Sequence, residues 1–293
     1  MNLIRLAARA SVAVAAVLIA TKLVAWTLTD SVGLLSTLID SLLDIGASLV
    51  NLIAIRHALT PADEEHRFGH GKAEALAGLG QAAFVAGSAA FLLVQAGERL
   101  FRPRALAHID IGIAVMVFSI VVTLALVVFQ KYVARRTSSL AIGADSLHYQ
   151  TDVLANAGVI VSLILVSQLG WVAADPLVAI AIVAYIIWGA WSIGVQALHI
   201  LMDRELPDAE RDKIRAIAKS NPAVRGVHDL KTRSSGSHVF IQLHLELDGG
   251  MTLNRVHEIS EDVMARIMAE YPNAEVIVHE DPEGVVEHRA VYG

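Results

Sequence analysis

A chain of 293 residues that is 55% hydrophobic, with a mean hydropathy of +0.56 at 18% charged residues, is too apolar for a soluble protein. The absence of cysteine excludes disulfides, thiolate catalysis and sulfur-rich metal sites, so any metal must take nitrogen and oxygen ligands. A formal net charge of -6 leaves no electrostatic footprint for nucleic acid.

Apolar runs long enough to cross about 30 Å of hydrocarbon occupy roughly 10–29, 33–57, 75–97, 109–130, 140–166 and 171–196. They predict a mainly α membrane protein with six transmembrane helices in a domain over 1–203, followed by a small α+β domain over 204–293. Arg5 and Arg9 ahead of the first run resemble the start of a signal peptide. That run continues past Lys22 to about Leu28, longer than a typical signal core, and is read as a span. An even number of spans places both termini on one side of the membrane. Arg5, Arg9, Arg56, Arg67, Lys72, Lys131, Arg135, Arg136 and Arg204 flank the spans on that side, against Arg99, Arg102 and Arg104 on the other. Both termini are therefore expected to be cytoplasmic.

The second span carries Asp40 and Asp44, one helical turn apart, so their carboxylates share a face with Ser36, Ser48 and Asn51. The fifth span repeats the spacing with His148 and Asp152. An ionisable side chain at bilayer depth costs about 2.5–3.5 kcal/mol even on the lenient insertion scale. Buried polar groups also fix helix packing, but serine or threonine does that at lower cost. Two i, i+4 pairs in mid-membrane instead supply four nitrogen and oxygen donors of the kind tetrahedral Zn²⁺ takes. With one imidazole and three carboxylates, Fe²⁺, Mn²⁺ and Cd²⁺ compete with Zn²⁺. Asp145, one turn before His148, reads either as an outer partner of the site or as a solvating group at the helix end.

Between the second and third spans, Asp63, His66 and His70 offer three ligands within eight residues, enough for Zn²⁺ completed by water, or else line a solvated polar loop. His57 and His199, at span ends, read as interfacial, and His108, His238 and His288 as solvated.

Beyond residue 203 the pattern predicts a helix over 208–219, strands over 224–232 and 237–247, a helix from Thr252 to about Tyr271, and a strand over 275–281. The order αββαβ suggests a ferredoxin-like sheet with helices on one side. Val239, Ile241, Leu243, Leu245 and Leu247 alternate with Phe240, Gln242, His244 and Glu246. The face away from the helices would then carry His244, His279 and Asp281, with His228 on the neighbouring strand. Imidazoles on three strands beside a His-x-Asp pair make a metal cluster plausible there.

With the six spans, Asp40-x-x-x-Asp44, His148-x-x-x-Asp152, the loop FGHGKAE from Phe68 to Glu74, and the tail motifs HDLKTR, FIQLHLEL and VIVHEDP, the chain resembles the cation diffusion facilitator family. Within the family, the likeness is to zinc and iron efflux members of bacteria. The resemblance implies a homodimeric, proton-coupled antiporter that exports divalent cations across the bacterial inner membrane. It assigns Asp40, Asp44, His148 and Asp152 to the transport site, and Asp63, His66 and His70 to a loop site. It assigns His228, His244, His257, His279 and Asp281 to a binuclear site in a metallochaperone-like cytoplasmic domain, where Zn²⁺ is structural or regulatory. Lys72 and Asp203 match a charge interlock at the dimer interface, and Glu280 stands where close relatives often have Gln.

Ligand chemistry supplies the coupling. Metal binds only deprotonated carboxylates and neutral imidazole, so protons and metal compete for the same side chains, and His148 is the natural proton carrier. The remaining readings are a metal sensor without flux and an intramembrane metal-dependent hydrolase. No HExxH motif supports the latter.

Overall fold

Six long helices precede a small α+β unit in the computed structural model, which describes residues 2–29, 32–101, 109–169, 174–236 and 238–285. His108, His288, Arg102 and Arg104 lie outside them. The chain divides into two units, Met1–Leu201 and Met202–Gly293.

The first unit comprises α1 (Asn2–Thr29), α2 (Val32–Ala58), α3 (Lys72–Phe101), α4 (Ile109–Thr137), α5 (Leu140–Leu169) and α6 (Ala174–Leu201). Among the described residues, five helices are long and apolar enough to cross a membrane. The remaining helix, α5, is as long as the others at 30 residues and carries His148 and Asp152. Helix α3 packs along α6, α1 along α2 and α4, and α5 along α3, α4 and α6.

Small residues set how closely these helices approach. Ala7, Ala8, Ser11 and Ala15 bury one stripe of α1, and without a hydrophobic drive between helices in lipid, such stripes let van der Waals contact hold them together. On α6, a Cβ at Gly189 would stand 2.9 Å from Leu147 Cδ1, so glycine admits the side chain that precedes His148.

The start of α5 is fixed from a distance. Its first N–H groups lack intrahelical partners, and Glu74, in the first turn of α3, serves them. Its carboxylate accepts a hydrogen bond from Ser139 Oγ and another from the Ala141 N–H at 3.4 Å. Ser139 Oγ in turn accepts from the Ile142 N–H at 3.3 Å.

The second unit has the order α7 (Asp208–Lys219), β1 (Gly226–Ser235), β2 (His238–Leu247), α8 (Leu253–Glu270) and β3 (Ala274–Pro282). Strand β2 is central, antiparallel to β1 and parallel to β3. Ile241, Leu243, Leu245 and Leu247 of β2 pack against Ile214 and Ala218 of α7 and Ile259, Val263 and Ile267 of α8. Each such side chain contributes about 1.5–3 kcal/mol on burial. Tyr271 Oη joins the helices by donating to Glu210 Oε2 at 2.5 Å. Burial, reinforced by that carboxylate, pushes the Tyr271 phenol up to about 12.

Ile241 is fully buried at the centre of this layer. Ile241→Ala is expected to lower the stability of the second unit by about 2–5 kcal/mol, read as a fall in the urea midpoint of the segment 202–293.

Candidate metal centres

Two ligand atoms on one tetrahedral Zn²⁺, with bonds of about 2.0–2.1 Å, stand about 3.3 Å apart. Among the described residues, three groups of side chains bring their ligand atoms within 4.8 Å of one another.

The first lies between α2 and α5, where ligand atoms of Asp44, His148 and Asp152 all fall within 4.8 Å of one another. His148 Nε2 is 3.1 Å from Asp44 Oδ1, buried, and without an aligned hydrogen-bond partner. Phe84 and Tyr149 flank the imidazole, with ring centroids at 5.4 and 5.2 Å. Tyr149 Oη lies 2.8 Å from Ser48 Oγ of α2 and donates to the Ser11 carbonyl of α1 at 3.2 Å, which fixes α5 against both helices beside the cluster. Asp40, one turn before Asp44, is exposed and stands outside the three-residue group. Lys22 Nζ reaches the residues around it, donating to Ser41 Oγ at 2.6 Å and the Thr37 carbonyl at 3.2 Å.

Asp145 is fully buried, which removes the reading of a solvating group at the helix end. Its Oδ2 accepts from Ser11 Oγ at 2.5 Å and from Gln130 Nε2 at 2.7 Å, tying α1, α4 and α5 together one turn from His148.

The second group is Asp63, His66 and His70. An Asx turn builds it: Asp63 Oδ1 accepts from the backbone N–H groups of Glu65 at 3.1 Å and His66 at 2.6 Å. The His66 N–H, with a smaller contribution from both imidazoles, holds the Asp63 carboxyl below the usual carboxylate range. His66 Nδ1 and His70 Nε2 each lie 3.4 Å from a different Asp63 oxygen. His66 and Asp63 are half-exposed, whereas His70 is buried. His57, read from the sequence as interfacial, brings its ring within 4.4 Å of the His70 ring at the end of α2.

The third group is His228, His244 and Asp281. Strand register explains it, because His228 pairs with His244 across β1 and β2, and His244 with His279 across β2 and β3. The three imidazoles form a row across one sheet face. Asp281 sits under the row, its Oδ2 at 2.8 Å from His244 Nδ1 and 3.0 Å from His228 Nε2, and its Oδ1 at 3.2 Å from His279 Nε2. Three imidazole nitrogens crowd one buried carboxylate, and neither nitrogen of His228 has an aligned hydrogen-bond partner. This donor set fits a divalent cation with nitrogen and oxygen preference.

Glu246 is a neighbour that sequence reasoning missed, its Oε1 lying 2.9 Å from His228 Nδ1. Gly226 makes room for it, since a Cβ there would stand 2.4 Å from Glu246 Oε2. A carboxylate on the far nitrogen of an imidazole fixes its tautomer and raises its basicity. The signal was alternation alone: Glu246 lies two residues from His244, on the same face. Glu280 points elsewhere, accepting from Ser260 Oγ of α8 at 2.7 Å. His257, on α8, is exposed and joins none of the three groups. Lys72 Nζ donates to the Leu201 carbonyl at 3.3 Å, and Arg233 lies 3.4 Å from Asp203 Oδ1.

The model of the cation efflux transmembrane domain matches residues 8–202, and that of the cation efflux protein cytoplasmic domain matches residues 206–283. The chain belongs to the cation diffusion facilitator family. It is 49% identical to the cation-efflux pump FieF of Shewanella oneidensis over 279 residues, covering 95% of this chain and 94% of that protein. Its identity to the cation-efflux pump FieF of Klebsiella pneumoniae is 47% over 285 residues, covering 97% and 95%. The solved metal-bound C-terminal domain of the CzcD transporter from Thermotoga maritima is 28% identical, covers 28% of this chain and 100% of that one, and has a TM-score of 0.26. As a member of this family, the chain is a multi-pass membrane transporter with a cytoplasmic C-terminal domain, and not an enzyme.

If Glu246 orients His228, Glu246→Gln is expected to weaken Zn²⁺ binding at the cytoplasmic cluster by about 10–100-fold without unfolding the sheet. Competitive chelator titration with circular dichroism checks both points.

Proposed function

We propose that this family member exports divalent cations, Zn²⁺ foremost and with Fe²⁺, Cd²⁺ and Mn²⁺ as competing cargo, from the cytoplasm in exchange for protons. The observation that carries the proposal is the convergence of Asp44, His148 and Asp152 from two spans, around the buried His148 imidazole. Asp40, a turn away on α2, completes a tetrahedral set as the helices adjust around the ion. The names of the relatives, cation-efflux pumps, support efflux as the direction.

The chemistry is competition. Facing the cytoplasm, the carboxylates and the neutral imidazole load metal and give up protons. Facing the other side, where protons are abundant, the same groups take protons and release the ion. Rocking of the helices that carry the two pairs alternates access about a fixed site. Tyr149 and Asp145 hold α5 in register with α1, α2 and α4 through that motion.

In this reading the protein is a homodimer in the bacterial inner membrane, and Lys72 and Asp203 form its charge interlock. His228, His244, His279 and Asp281 would hold resident Zn²⁺ in the cytoplasmic domain, with His257 as a further ligand of that binuclear site. Bound there, Zn²⁺ would supply a positive centre between the Asp281 carboxylate and the imidazole nitrogens around it. Glu246 holds His228 in place, and Asp63, His66 and His70 form the loop site.

Reconstituted in proteoliposomes with internal reporters for metal and protons, the wild type is expected to take up Zn²⁺ as protons leave, and Asp44→Ala to abolish both fluxes. Binding without movement of Zn²⁺, Fe²⁺ or Mn²⁺ would leave a sensor in place of a transporter. In the same assay, acidifying the loading side should slow uptake, because protons then occupy the ligands the metal needs. A rate indifferent to pH on that side would remove the shared-ligand mechanism.

A further inference from the structure

The loop site, taken as in the proposed function, has three protein ligands and one open position, which water would fill. His57 stands outside that three-residue group, beside His70, and a change of rotamer would bring it in. It lies on the last turn of α2, is exposed, and so is free to change rotamer without disturbing packing. Its ring centroid stands 4.4 Å from that of His70, edge-on at 66°, and the His66 and His70 rings are 4.5 Å apart.

Two imidazoles bound to one tetrahedral Zn²⁺ have ring centroids about 5 Å apart, given nitrogen–metal bonds of about 2.0–2.1 Å. The imidazole row of the cytoplasmic cluster shows neighbouring spacings of 5.2 and 4.6 Å. His57, His70 and His66 repeat that spacing around the loop. A second observation also points to a ligand: the His70 side chain is about 4% exposed, and its Nδ1 is buried with no hydrogen-bond partner. Nε2 is turned to Asp63 at 3.4 Å, so the buried, unpartnered Nδ1 is the nitrogen left for a ligand.

We propose that His57 is the fourth protein ligand of the loop site, giving a closed His57, Asp63, His66, His70 centre that retains a Zn²⁺ ion rather than passing it on. Four protein ligands with no open position are the mark of structural zinc, whereas three with water leave an exchangeable site. The site then staples the C-terminal end of α2 to the approach of α3. The ligands span three local elements: the end of α2, the Asx turn, and the residue two before Lys72.

The test uses the full-length protein in detergent, carrying Asp44→Ala and His244→Ala to disable the other two clusters, titrated with Co²⁺ and Zn²⁺. The expected result is intense four-coordinate Co²⁺ absorption that His57→Ala reduces, with Zn²⁺ affinity falling at least about tenfold, the lower end of the loss from outer-shell partners alone. Because the chain has no cysteine, His57→Cys adds a unique thiolate. A new thiolate-to-Co²⁺ charge-transfer band in that variant would place residue 57 on the metal directly. Unchanged spectrum and affinity in His57→Ala, with both lost in His66→Ala, would overturn the role of His57 and leave a three-ligand loop site. If His66→Ala also changes nothing, the loop site itself is lost as a reading, and the closed centre with it.

Discussion

Charge in hydrocarbon is the constraint on which the membrane unit depends. A carboxylate or imidazole at bilayer depth has no favourable contact with lipid, so each helix that carries one must turn it toward another. Asp44 on α2 faces His148 on α5 at 3.1 Å, and this meeting fixes which faces of the two helices look inward. Tyr149 and Asp145, on either side of His148 along α5, then secure that orientation with hydroxyl and amide partners from α1, α2 and α4. The apolar contacts around them, such as Leu147 against Gly189, follow from an orientation already chosen by polar groups.

The cytoplasmic unit uses a different device for the same end. Its ligands need no low-dielectric argument; they need a common face and a common row. Alternation along β2 puts leucines under the helices and His244 on the other side, and pairing brings His228 and His279 level with it. A slip of one residue in either ladder would send an imidazole into the apolar core. The buried Ile241, Leu243, Leu245 and Leu247 oppose such a slip, so the hydrophobic layer protects the histidine row.

Much of this was legible in the sequence. The i, i+4 pairs and the period-two strands are local patterns, and Asp44, His148 and Asp152 meet where they predict, as do His228, His244 and Asp281. What stayed illegible depended on distance in space without a period in sequence. Glu246 looked like an ordinary polar residue on a strand until the vacancy beside Gly226 let it reach His228. Asp145 could be placed on α5 but not given its partners, since Ser11 and Gln130 lie on other helices. His57 read as a span-end residue because its contact with His70 depends on how the intervening loop folds back. Asp40 carries the opposite lesson: helical spacing put it on the face of Asp44, yet it stands outside the three-residue group.

Glu74 links the loop to the start of α5. It lies four residues after His70, on the first turn of α3, and its carboxylate grips Ser139 and the Ala141 N–H at the very start of α5. The helix that begins there carries His148 and Asp152. Thus α3's first turn has His70 of the loop cluster just before it and, through Glu74, the N-terminal anchor of α5 at its side. His70 and the root of α5 are thus joined by a short covalent and hydrogen-bonded path: the Ala73 N–H donates to the His70 carbonyl at 2.9 Å, and the Glu74 carboxylate one residue on holds the Ala141 N–H.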